Sequence, residues 1–182
     1  MTNIRHETSA DVRARNALLD VAYGPARFKK PSERLRKGRS PADGLSLIAV
    51  DGDRIVGTLR LWNVRLGGER SALLLGPLAV HPDCRGRGIG AALMQRALRN
   101  ARLTGHRAIL LVGDRAYYER FGFCAQKTGR LSMPGLQEQH RLLGLELMPG
   151  ALDGAWGSIS AAGKPSRVRR PAAVGVPAFN AA

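Results

Sequence analysis

An apolar run from Ser71 to Val80 ends at His81-Pro82, gives way to the Arg/Gly segment Cys84–Gly90, and is followed by residues at helical spacing. That order is strand, glycine-rich turn, helix N-terminus, and it places an α/β unit at the centre of the chain. The turn offers backbone N–H groups, and a helix start carries a partial positive charge of about half a unit. Such a turn is a ready site for phosphate or pyrophosphate. Gly86, Gly88 and Gly90 let the backbone approach an anion with no Cβ in the way. Arg85 and Arg87 add charge-assisted donors.

The surrounding pattern fills in a fold. Ile4–His6 reads as a short strand. Thr8–Asp11 resembles a helix N-cap region, and Val12, Leu18, Leu19 and Ala22 give an apolar stripe that Gly24-Pro25 ends. A basic helix is expected over Ser32–Lys37. Leu45–Val50 and Arg54–Trp62 flank the Asp51-Gly52-Asp53 turn as a hairpin. Pro77 has no N–H to give a ladder, so Gly76-Pro77 predicts a bulge or a parting of strands inside the Ser71–Val80 run. Leu93, Met94, Ala97, Leu98 and Ala101 form one face of a helix that reaches Leu103, with Gly105 beyond its end. His106–Val112 reads as a strand buried on both faces and parallel to its neighbour. A short helix from Arg115 to Phe121 takes Asp114 as its N-cap. A strand is expected to start at Phe123, and Arg141–Leu147 is read as the last strand.

Composition sets the outer bounds. A chain of 182 residues with 44% hydrophobic side chains suits one domain with a real core. Residues 1–160 are expected to form it, and residues 161–182 read as a basic, Pro- and Ala-rich tail. No run of 18 apolar residues predicts a transmembrane helix, and Met1–Glu7 lacks the apolar core of a signal peptide. A cytoplasmic protein with no membrane partner is expected. Cys84 and Cys124 have no metal-ligand spacing, so no metal is expected and the two read as reduced thiols.

The phosphate-binding motifs can be told apart by spacing. No G-x-x-x-x-G-K-[ST] occurs, and G-x-G-x-G is wrong for a dinucleotide fingerprint. What stands is Arg85-x-x-Gly88-x-Gly90, which resembles the [QR]-x-x-G-x-[GA] pyrophosphate loop of the GNAT superfamily of acyl-CoA-dependent N-acetyltransferases. Gly113-Asp114-Arg115-Ala116-Tyr117-Tyr118-Glu119-Arg120-Phe121-Gly122-Phe123 is a second match. Together with Gly76-Pro77-Leu78-Ala79-Val80-His81-Pro82 it is similar to a bacterial branch carrying "GPLAVHP" and "GD-x-x-Y-Y-x-R-F-G-F". The likeness covers about residues 2–160.

The resemblance implies a mixed, largely antiparallel sheet of six to seven strands, with a splay between strands 4 and 5 and helices on both faces. It implies transfer of an acetyl group from acetyl-CoA to a primary amine by direct attack. The backbone of Leu78, Ala79 and Val80 would hold the acyl and pantetheine portion. Arg85, Gly86, Arg87, Gly88, Ile89, Gly90 and Ala91 would hold the pyrophosphate. The Val80 N–H would serve the developing oxyanion, and Tyr118 would be the general acid beside the thioester sulfur, touching the cofactor as well. Tyr117, four residues from Phe121, reads as core. No general base stands out: the strand before the loop carries no carboxylate, His81 reads as a loop anchor, and Glu33, Asp43 and Glu69 are loop positions.

The net charge of +15 favours any polyanion, coenzyme A and nucleic acid included. Two other readings therefore stay open. One is an acyl-CoA-binding sensor without turnover; the other is a basic nucleic-acid-binding protein using Lys164–Arg170. The acceptor amine is not marked by any motif. A homodimer is open as well.

Overall fold

The computed structural model describes residues 2–67 and 70–166. Six strands form the body of one sheet in the order β1 (Asn3–His6), β2 (Ser46–Asp51), β3 (Arg54–Arg65), β4 (Ser71–Val80), β5 (Ala108–Val112) and β7 (Leu142–Glu146). A seventh, β9 (Ser160–Ala161), pairs with the end of β3 at Val64 and Arg65. Every pairing within this sheet is antiparallel except β4 with β5. The parallel pair needs a crossover, and α3 (Ile89–Leu103) supplies it.

Both sheet faces are covered. On one, Leu93, Met94, Ala97, Leu98 and Ala101 of α3 pack against Leu47, Leu59, Leu61, Ile109 and Leu111. The other carries Trp62, Leu74, Leu110 and Leu142, with Leu35 of α2 (Pro31–Arg36) among them. β5 alternates between the two clusters along its length, as a strand buried on both sides must. α1 (Val12–Tyr23) lies over the Arg60–Trp62 side and is tied there by charge. Glu7 accepts from Arg15 of α1 at 3.3 Å and from Arg60 of β3, and Arg60 stacks over Trp62.

The Gly76-Pro77 interruption is a bulge. Leu59 pairs with Leu78 and Leu61 with Leu75, so two residues of β4 stand opposite Arg60 alone. The Gly76–Pro77 peptide is cis. Gly76 keeps a partner all the same, since Trp62 Nε1 donates to its carbonyl at 2.6 Å.

Two expectations need correction. No strand starts at Phe123. Cys124 makes a single bridge to Gly144, and the chain then turns through Gln126–Thr128. Phe123 is instead a buried plug, 1% exposed, packed edge-on against Tyr118. Nor is β7 the last strand. After it, β8 (Gly157–Ser158) pairs with β6 (Leu131–Ser132), and β9 follows. Of the expected tail, 161–166 runs beside residues 38–40, with Ser40 N–H donating to Lys164 C=O and Ser166 N–H to Gly38 C=O. Residues 167–182, including Arg167–Arg170, lie outside the described residues. Among the described residues no helix is long and apolar enough to cross a membrane.

Candidate active site

The Arg/Gly segment forms a loop whose shape depends on glycine. Gly86 and Gly88 have φ of 77° and 74°, and Gly88 sits in the left-handed region immediately before α3. The first-turn N–H groups of α3 have no intrahelical partner and face outward at the helix start. Gly90 is glycine for space, since a Cβ there would stand 2.9 Å from the Tyr117 hydroxyl. The loop backs a cavity of about 400 Å³ lined by Val80, Arg85, Gly86, Gly88, Ile89, Gly90 and Ala91 from the expected set. Tyr117, Arg120 and Cys84 complete the wall.

The two loop arginines part company. Arg85 lines this cavity and, among the described residues, has no ion pair. Arg87 turns the other way: its Nη2 donates to Asp51 at 2.9 Å, and its Nη1 lies 3.6 Å from Cys84 Sγ. It pins the loop to the β2–β3 turn. His81 is likewise held outside the cavity walls, between the Asp83 N–H and Arg54.

Beside the loop the sheet opens. β4 pairs with β5 only at Leu73 and Leu74. Beyond the bulge, Leu78, Ala79 and Val80 pair with β3 on one edge and face a gap on the other. His81 N–H donates to Val56 on β3 at 2.8 Å. Successive amides of a strand point to opposite edges, so the Val80 N–H points into the gap. The Leu78 carbonyl points there too, where the Tyr23 hydroxyl donates to it. Tyr23, at the end of α1, is a site residue that sequence reading missed. Its only signal was position, just before the Gly24-Pro25 break.

Tyr118 closes the far side of the gap. Asp114 caps its helix, α4 (Arg115–Tyr118), by accepting from Ala116 N–H at 3.1 Å. The Tyr118 ring lies over Gly113 and packs against the main core. Burial pushes its phenol well above the ordinary tyrosine range, with Tyr23 and Tyr117 adding to the effect. It is a protonated donor across the neutral range. Tyr117, expected in the core, instead lines the loop cavity, with Arg120 stacked 4.1 Å over its ring.

These parts border a row of adjoining cavities. The loop cavity shares Val80, Arg85, Gly90 and Tyr117 with a second cavity in the gap, which also holds Leu78, Ala79 and Asp114. The gap in turn shares Tyr23, Leu78 and Tyr118 with a third, narrow cavity on the other side. The glycine loop thereby adjoins, through an opening in a sheet, a half-buried phenol.

A family model, an acetyltransferase (GNAT) domain, matches residues 42–125, which hold the hairpin, the bulge, the loop and Tyr118. The Escherichia coli K12 protein YhbS, an uncharacterized N-acetyltransferase, is 31% identical over 149 residues, covering 76% of this chain and 86% of its own. The chain belongs to the GNAT family of N-acetyltransferases. A second E. coli K12 relative in the family, the uncharacterized N-acetyltransferase YjhQ, is 31% identical over 125 residues, 66% of this chain and 69% of its own. Among GNAT structures, E. coli YhbS in complex with CoA superposes with a TM-score of 0.72 at 27% identity, covering 88% of this chain and 89% of that one. A GNAT acetyltransferase from Brucella melitensis in complex with acetyl-CoA gives 0.68 at 27% identity, covering 89% and 96%. The splayed, largely antiparallel GNAT sheet expected from the motifs is the fold found.

Proposed function

We propose that this protein transfers the acetyl group of acetyl-CoA to a primary amine by direct attack at the gap beside Tyr118. The observation that carries the reading is the row of adjoining cavities from the Arg85–Ala91 loop, along Leu78–Val80, to the Tyr118 phenol. The residues present suit the donor. Free first-turn N–H groups, unpaired Arg85 and Cβ-free glycines suit a pyrophosphate. The open edge of Leu78–Val80 suits the amides of a pantetheine arm.

Acetyl-CoA supplies an activated thioester, and the protein supplies donors. Val80 N–H would face the point where negative charge develops on the carbonyl oxygen, as a fixed dipole already in place. As the amine nitrogen forms its bond to the carbonyl carbon and the C–S bond breaks, Tyr118 gives its proton to the departing thiolate, and the proton shed by the nitrogen passes through solvent to restore the phenol. Arg87 acts from behind, holding the loop by Asp51. The Tyr23 hydroxyl occupies the Leu78 carbonyl and fixes the width of the gap.

The test is calorimetric binding of acetyl-CoA to wild type and to an Arg85→Ala, Gly88→Glu variant, followed by thiol-release assays on an amine library. Micromolar binding lost in the variant supports the reading. No binding by wild type overturns it.

A further inference from the structure

Past Tyr118 lies a narrow cavity of about 80 Å³ walled by Tyr23, Leu75, Pro77, Leu78 and Val112. Room for a few heavy atoms suits the unbranched end of a primary amine rather than a branched or secondary one. This cavity shares Lys30, Ser32 and Val112 with a wider one, about 410 Å³, bordered by Gly135–Glu138 and Arg141. A slender end can thus reach Tyr118 while a bulkier remainder lies outside.

The charge along this route is one-sided. Arg27, Lys30 and Arg36 line the narrow cavity, against Glu33 as the carboxylate among its lining residues. Glu33 is already spent on Arg36, at 3.2 Å. Arg36 is 7% exposed and is further fixed by Ser32, whose hydroxyl accepts at 3.0 Å and whose carbonyl accepts at 3.2 Å. Arg27 is held by Asp20 at 2.9 Å, outside the cavity. In the wider cavity Arg141 is matched by Glu138 at 3.1 Å. Lys30 is the exception. Its ammonium rests 4.1 Å over the Tyr23 ring, and among the described residues it has no carboxylate partner. Desolvation lowers its pKa, and Arg36 and Arg141 lower it further. It is a cation placed among cations, at the junction of the two cavities.

We infer that the acceptor is a primary amine bearing an anionic group, carboxylate or phosphate, close to the amine, with Lys30 as the residue that selects it. This rests on the acetyl-transfer reading of the same site. An anion at the junction gives Lys30 the partner it lacks, while a second cation on the acceptor meets Lys30 with no carboxylate to offset it. Lys30 makes no contact with the expected donor loop, which leaves it a specificity residue.

The experiment compares 4-aminobutyrate, 3-aminopropyl phosphate, butylamine and 1,4-diaminobutane as acceptors for full-length wild type and Lys30→Gln, with Lys30→Arg as the conservative control. The expected result is a kcat/KM for the two anionic acceptors at least tenfold above that for the diamine. Lys30→Gln should remove that preference, with the two anionic acceptors losing at least tenfold more than butylamine, and Lys30→Arg should keep most of it. The two anionic acceptors tell carboxylate from phosphate. Calorimetry of 4-acetamidobutyrate and N-butylacetamide with CoA-loaded protein gives an answer independent of turnover. Only the anionic compound should bind, at least tenfold more weakly in Lys30→Gln. A preference for the diamine, an unaltered preference in Lys30→Gln, or no anionic binding to CoA-loaded protein overturns the inference. Failure to load CoA at all overturns the acetyl-transfer reading instead.

Discussion

Gly113 and Tyr118 are fitted to one another: the phenol ring occupies the place of a Gly113 side chain, and a Cβ there would stand 2.9 Å from Cδ2 and closer still to Cε2. The pair separates two roles of Tyr118. Tyr118→Phe keeps the ring and removes the proton, so kcat should fall by about 100-fold, the lower range for a general acid, with acetyl-CoA affinity little changed. Gly113→Ala keeps the proton and displaces the ring, so kcat should fall although the hydroxyl remains. Thiol-release kinetics beside calorimetry make the comparison. Full kcat in Gly113→Ala would show that the position of the ring is immaterial.

Arg85 and Arg87 are two residues apart and predict opposite phenotypes. Arg85→Ala removes a free charge from the loop cavity, so acetyl-CoA should bind about tenfold more weakly, as loss of a charge-assisted hydrogen bond of about 1.5 kcal/mol requires. The deficit should shrink as salt is raised. Arg87→Ala removes the tie to Asp51 and should show first as a lower Tm. Equal losses of affinity in both variants would contradict the geometry.

The raised pKa of Tyr118 fixes the sign of a pH profile. A phenol pushed above its ordinary value of about 10 keeps its proton as pH rises, so the donor form outlasts that of a free tyrosine. With an acceptor amine of ordinary basicity, kcat/KM should climb as the amine deprotonates and show no alkaline decline below about pH 10. A decline centred near pH 9 that vanishes in Tyr118→Phe would mean that the phenol titrates below its ordinary value and is not raised by burial.

Glu7 joins three elements through two arginines, and its side chain is only 4% exposed. Replacing one partner of a buried ionic group leaves the others uncompensated, at about 3 kcal/mol. Glu7→Gln should therefore lower the urea midpoint with an unchanged m-value. The Arg15 and Arg60 guanidinium groups would stay buried against α1 and β3 without their counter-charge. A variant as stable as wild type would mean that solvent reaches them.

What the sequence disclosed and what it withheld divide along one physical line. The bulge was legible because Pro77 cannot donate, and the loop because Gly86–Gly90 follow an apolar strand and open an amphipathic helix. Both are local facts. Tyr23 was hidden because its role depends on where α1 ends relative to Leu78, which lies 55 residues away. Tyr117 was misread because a spacing of four places it with Phe121, yet the rings sit 5.8 Å apart at the rim and the hydroxyl turns to Gly90. Phe123 looks like the first residue of a strand, but Tyr118 and the core take its ring before a ladder can form. The free cation at Lys30 could not be told from its basic neighbours until their carboxylates were placed.

The parting of β4 from β5 leaves an edge in the middle of a seven-stranded sheet. Interior amides of such a sheet ordinarily exchange with deuterium only on global opening. The Leu78 and Val80 amides face the gap, so they should exchange on the timescale of a frayed terminus while Leu73 and Leu74, a few residues back on the same strand, stay locked. Occupation of the gap would slow the first two and leave the others as they were. The strand thus carries its own ruler for occupancy, written in the difference between its two ends.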